Sequence, residues 1–166
     1  YNGSSVLLSA GYGRGSILLD IGYEDGKWSV EERWRSMKLK SKFNSFILDG
    51  QHVYGLDEGY LVCLELESGQ RLWRGEKYGY GQLLLTGKVL LVLAESGEVI
   101  FVKADPEAPE ELGRFQAIEG KTWNHPVIAN GRLYVRNGKQ AACFKLTDWV
   151  YGQVAPKPEY ERLQLR

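Results

Sequence analysis

Four X-Gly pairs punctuate the chain: Asn2-Gly3, Asp49-Gly50, Thr86-Gly87 and Asn130-Gly131, with glycines 47, 37 and 44 residues apart. A short apolar run follows each pair, and the last three are also preceded by one: Phe46-Ile47-Leu48, Leu83-Leu84-Leu85 and Val127-Ile128-Ala129. Glycine accepts the positive φ that a tight turn between antiparallel strands demands, so each pair reads as a hairpin. A small unit of strands recurring about every 40 residues constrains the fold more than any composition does. Such a unit buries its faces only against copies of itself.

The second unit is the clearest. It runs through Phe46-Ile47-Leu48, His52 to Leu56, Tyr60 to Leu66 and Gln70 to Trp73, with turns at Asp49-Gly50, Asp57-Glu58-Gly59 and Glu67-Ser68-Gly69. The third repeats it with Val89 to Ala94 and Glu98 to Ala104, then delays its outer strand to Leu112–Ala117 behind Pro106 and Pro109. In the fourth, Leu133 to Arg136 and Gln140 to Leu146 precede an expected outer strand at Trp149 to Val154. The first unit lacks an innermost strand and consists of Val6 to Ala10, Ile17 to Ile21 and Trp28 to Arg35. Four short strands at this period are a β-propeller blade.

The expected fold is therefore all-β: four-stranded antiparallel blades, about three and a half of them, at residues 1–42, 43–79, 80–121 and 122–154, with 155–166 an extended C-terminal tail. An arc leaves apolar blade faces bare at both ends, so further blades, from a longer chain or another chain, are expected to cover them. The start at Tyr1 on the brink of a turn looks like a cut end.

In this register Cys63, Phe101 and Cys143 share one position of the third strand. A whole sheet then separates the two cysteines, beyond the Cα reach of roughly 7 Å that a disulfide allows. Both are expected to be free, buried thiols. Trp34, Trp73, Phe115 and Trp149 recur on outer strands as expected wedges between blades.

Twenty-one basic and 21 acidic side chains cancel, so bulk charge suggests no nucleic-acid or anionic-membrane partner. The longest apolar run, Val89 to Ala94, is strand length, and no transmembrane segment is expected. His52 and His125 lack partners at metal spacing, no Gly-x-Ser-x-Gly elbow is present, and Gly11 to Gly15 precedes no helix pattern and reads as a flexible hairpin loop. Asp57 and Glu58 read as a solvated turn. The run Arg33 to Lys42 holds five basic residues among apolar ones, which fits either a solvated outer strand or a patch for an acidic partner.

Propeller sites lie where loops enter the innermost strands. Those loops are Phe43-Asn44-Ser45, Tyr80-Gly81-Gln82 and Trp123-Asn124-His125. Each pairs an amide with an aromatic residue. The site residues expected at the channel mouth are Asn44, Gln82, Trp123, Asn124 and His125, lining a place for a polar ligand or a protein partner. The competing reading is that the amides satisfy loop backbone groups.

The stretch Val53 to Trp73, VYGLDEGYLVCLELESGQRLW, resembles the repeat of quinoprotein-type (PQQ-like) propellers, with Gly59, Leu64-Glu65, Ser68-Gly69 and Trp73 in the pattern's places. The chain is also similar to BamB-like bacterial outer-membrane assembly proteins. The resemblance implies a seven- or eight-bladed, extracytoplasmic ring. Some members bind pyrroloquinoline quinone (PQQ) and calcium and oxidise alcohols or sugars; others bind no cofactor and act as scaffolds. No Cys-Cys pair is present and the mouth loops hold no carboxylate, so the favoured reading is a non-catalytic scaffold or ligand-binding module without cofactor or metal. The alternatives are a PQQ- and calcium-dependent dehydrogenase with most cofactor groups elsewhere, and a structural propeller fused to another catalytic domain.

Overall fold

The computed structural model describes residues 4–146 and the backbone of 160–164. The described residues form four antiparallel sheets in sequence order. The first is β1 (Ser5–Ala10), β2 (Gly15–Glu24) and β3 (Lys27–Ser36). The second is β4 (Ile47–Asp49), β5 (His52–Asp57), β6 (Tyr60–Glu65) and β7 (Arg71–Lys77). The third is β8 (Gln82–Thr86), β9 (Val89–Leu93), β10 (Glu98–Lys103) and β11 (Glu110–Gln116). The fourth is β12 (Val127–Ala129), β13 (Arg132–Arg136), β14 (Gln140–Lys145) and β15 (Tyr160–Gln164). The last three segments each meander outward from an innermost strand, as a propeller blade does, and the first enters at the second strand.

Two sequence readings shift. The strand beside β14 is Tyr160–Gln164, pairing Phe144 with Tyr160 and Gln140 with Gln164, inside the stretch read as a tail. The expected Trp149–Val154 strand lies outside the described residues, as does the Asn2-Gly3 turn. The X-Gly pairs are also not all alike. Gly50 and Gly87 take the first central place of two-residue hairpins, with φ of +61° and +57°. Gly131 takes the second, behind Asn130 at +50°, a residue type that tolerates the left-handed region.

Both faces of the inner sheets are buried, which is why β9 reads as the unbroken apolar run Val89-Leu90-Leu91-Val92-Leu93. Leu90, Val92, Ile100 and Val102 pack back onto Tyr54, Leu56, Leu61 and Cys63 of the second sheet. Leu91, Leu93, Val99 and Phe101 pack forward onto Leu133, Val135, Ala142 and Phe144 of the fourth. Val53, Val62 and Leu64 face Leu7 and Leu18 of the first. Burying each such side chain is worth about 1.5–3 kcal/mol. β13 differs: Leu133 and Val135 are buried while Arg132, Tyr134 and Arg136 stand exposed. Its alternation is that of a strand with one covered face.

Outer-strand tryptophans clasp neighbouring blades. Trp34 of β3 donates its indole N–H to Leu66 O at 2.9 Å, and Trp73 of β7 donates to Asp105 O at 2.9 Å, each just past the third strand of the next blade. Gly69, at φ +67°, lies under the Trp34 ring so closely that an added Cβ would fall 2.7 Å from it. Phe115 holds the corresponding place in the third blade without an N–H and packs against Phe101 and Phe144. Trp149 lies outside the described residues.

Asp57 corrects its sequence reading. It is 4% exposed. Its carboxylate accepts from Lys40 N at 3.0 Å, pairs with Lys40 Nζ at 2.8 Å and lies 3.4 Å from Arg71 Nη1. It anchors the linker between the first and second blades; its neighbour Glu58 is exposed as expected.

Cys63 and Cys143 are free, and they pair with equivalent residues, Tyr54 and Tyr134. Cys63 is buried, and desolvation pushes its thiol up to about 11. Cys143 is only half-buried because its face of the fourth sheet lacks a close neighbour sheet among the described residues.

Three outcomes follow for measurement. Trp73→Ala should lower unfolding free energy by about 3–5 kcal/mol in urea titrations. Trp34→Phe, losing only the N–H, should cost about 0.5–1.5 kcal/mol. At about pH 8 a thiol reagent should label Cys143 in the native protein and Cys63 only after unfolding.

Candidate functional site

Antiparallel meander puts the starts of β4, β8 and β12 at one end of the sheets, with the β5–β6 and β13–β14 turns and the β1–β2 hairpin loop. Aromatic side chains from separate blades meet there. Phe43 stacks on Trp123 with ring centroids 5.1 Å apart and planes 27° apart. Tyr80 meets the Phe43 ring edge-on at 6.4 Å.

The backbone at this cluster is strained. Phe43 has φ +63° and Tyr12, in the β1–β2 loop, has φ +56°. A bulky side chain in the left-handed region costs about 1–3 kcal/mol and persists only when its surroundings hold it. Gln82 is the holder. Its side chain is 2% exposed, and Nε2 donates to Phe43 O at 2.7 Å and to Trp123 O at 2.9 Å. One buried amide of β8 thus ties the entry loops of the second and fourth blades. Its Oε1 has no hydrogen-bond partner.

Charges surround the rings. Lys42 Nζ sits 4.4 Å from the Tyr12 ring centroid, 4.8 Å from Tyr80 and 5.5 Å from Phe43. Lys121 Nζ lies 4.4 Å over Trp123. Glu95, in the β9–β10 turn, is fully engaged: Oε1 accepts from Trp123 Nε1 at 3.0 Å and Oε2 from Tyr80 N at 3.1 Å.

The expected site residues are accounted for as follows. Gln82 and Trp123 join in one cluster. Asn44 closes a local turn, donating Nδ2 to Lys42 O at 2.9 Å. Asn124, oriented so that both groups are satisfied, accepts from Arg136 Nη2 at 3.1 Å and Nη1 at 3.3 Å. His125 is exposed and helps line a cleft of about 400 Å³ with Ser9, Tyr12, Ser41, Lys42 and Asn44. So the amides of Asn44 and Gln82 do satisfy loop carbonyls, and the outward-facing surface is aromatic and cationic. Nothing in the local sequence brings Tyr12, Lys42, Glu95, Lys121 or Arg136 to the mouth. Lys42 ended the basic run, but nothing local says that it reaches the ring around Phe43.

The described mouth loops do not by themselves supply the oxygens of a calcium–quinone pair. Calcium takes six to eight oxygens, and Glu95, the carboxylate of this cluster, already accepts an indole N–H and a backbone N–H. Among the described residues no group of three His, Cys, Asp or Glu converges.

No family model and no curated protein matches the chain. Solved structures do. BamB from Moraxella catarrhalis superposes with TM-score 0.58 over 88% of this chain and 52% of that one, at 16% identity. The Cps50 (Swd1) β-propeller domain of Myceliophteria thermophila gives TM-score 0.62 over 99% and 56%, at 15% identity. A europium-containing methanol dehydrogenase gives 0.57 over 91% and 39%, at 9% identity. The chain thus spans between 39% and 56% of these structures' length. At such identities the likeness is one of fold, and the fold is a β-propeller arc.

Gln82→Ala should release the Phe43 and Trp123 loops while leaving the sheets paired. The expected readout is a changed near-ultraviolet circular dichroism with unchanged far-ultraviolet signal, and a loss of about 1–3 kcal/mol in unfolding free energy.

Proposed function

We propose that this propeller arc is a non-catalytic binding module that receives a protein segment or a polar ligand at the mouth formed by Phe43, Tyr80 and Trp123. The observation that carries this reading is the strained Phe43 backbone, held at φ +63° by Gln82 while the residue stays 55% exposed. Strain is retained where a side chain has to be presented. Exposed Tyr12 and Trp123 extend the same surface, and large aromatics are the usual anchors of an interface. BamB and the Cps50 domain share the architecture. The extracytoplasmic placement implied by the PQQ-like repeat belongs to the same proposal, and fractionation of the source cells tests it.

A photoreactive residue placed at Asn124 in the intact protein should give a discrete cross-linked product in source cells. The same residue at Lys88, at the opposite end of the sheets, should not, and Trp123→Ala should abolish the Asn124 product. Equal products from both positions, or none from Asn124, refute the mouth as the binding surface. Dye-linked alcohol oxidation after reconstitution with PQQ and calcium refutes the non-catalytic part.

A further inference from the structure

Within that binding reading, on which this step rests, the geometry points to one class of occupant: an acidic peptide segment carrying an apolar or aromatic side chain. The basic run supplies the first argument. Arg33 pairs with Asp20 and Glu67, Arg35 with Glu32, and Lys40 with Asp57. Lys42 is different. Its ammonium is cradled by the rings of Tyr12, Tyr80 and Phe43, and no carboxylate of the described residues lies within ion-pair distance. Rings stabilise a cation only in part, by about 0.5–2 kcal/mol, and leave its charge uncancelled.

Arg136 repeats this imbalance, met by a neutral amide, Asn124, whereas Lys121 lies over Trp123 and reaches Glu95 Oε1 at 3.9 Å. Around the rings, Lys42 and Arg136 thus stand without a carboxylate partner among the described residues; Glu95 meets Lys121 and accepts two N–H groups, and Asp57 and Glu58 of the β5–β6 turn meet Lys40. A cationic occupant would meet like charge. An acidic one would find ammonium and guanidinium groups set around an apolar floor.

The floor calls for more than charge. Tyr12 is 75% exposed, Phe43 55% and Trp123 41%. Apolar side chains of a bound segment would cover these rings while its carboxylates reach outward to the cations. The cations stand on separate elements: Lys42 on the linker before β4, Lys121 on the linker before β12 and Arg136 on β13. An extended segment can engage all three, whereas a single small anion suits one. Beside Lys42, the buried Ser41 lines the cleft with a hydroxyl that has no hydrogen-bond partner.

The test uses the intact protein and a fluorescein-labelled peptide of alternating Glu and Leu, read by polarisation. Its controls are the Gln/Leu and Lys/Leu counterparts. The acidic peptide should bind about tenfold more tightly than the Gln/Leu one and weaken as salt rises from about 0.05 to about 0.5 M. Lys42→Gln and Lys121→Gln should each weaken it about fivefold, and Lys42→Arg should restore most of the loss. Trp123→Ala should weaken acidic and neutral peptides alike. Equal binding of the acidic and neutral peptides, with loss in Trp123→Ala, overturns the charge inference and leaves the mouth as a binding surface. Tighter binding of the Lys/Leu peptide does the same. Displacement by an equal concentration of free glutamate overturns the peptide class. Acidic-peptide binding that is unchanged in Trp123→Ala, Lys42→Gln and Lys121→Gln, or no binding of any peptide, removes the inference and its premise together.

Discussion

Apolar surface shared between successive sheets holds this molecule together, and no sheet owns its core. Tyr54 and Cys63 are dry only because Leu90 and Val102 lie against them, and Leu91 and Phe101 are dry only because Leu133 and Phe144 do. The indole clasps add direction to this non-directional glue. Each ties a ring to one carbonyl of the next blade, at Leu66 and Asp105, and so fixes the rotation between neighbours that burial alone would leave loose. Arg33, reaching Glu67 at 2.7 Å, does the same at the surface of the first pair.

That rigidity lets the mouth be strained. Gln82 is an interior residue of a blade packed on both sides, so its amide is a fixed point from which the Phe43 and Trp123 carbonyls hang. Asp57 plays the parallel part for the preceding linker by gripping Lys40 through backbone and side chain. Loops held this way present their rings in one arrangement before any ligand arrives, which reduces the ordering cost of binding.

Blade architecture was legible because it is local. The X-Gly turns, the apolar runs and the shared place of Cys63, Phe101 and Cys143 all follow from strand period and hairpin length. What local pattern cannot carry is distance across the arc. Asp57 looks like a turn residue until Lys40, 17 positions earlier, is folded beside it. Tyr12 and Lys42 belong to a loop and a linker whose meeting depends on the angle between two sheets. The three mouth loops could be located from connectivity, but two of their amides, Asn44 and Gln82, turn inward to hold carbonyls, Asn124 meets Arg136, and the rings of Phe43 and Trp123 face out. The offset of Gly131 has the same origin, since two hairpin types write themselves with the same X-Gly pair.

The alternation along β13 has a mechanical meaning. Arg132 and Arg136 flank Tyr134 on the side away from the third sheet. Any body seated against that side meets guanidinium groups where the described seams offer aliphatic and aromatic carbon. Such a joint is hydrated, sensitive to ionic strength and easily parted. A ring closed through that side would part there before its apolar seams do.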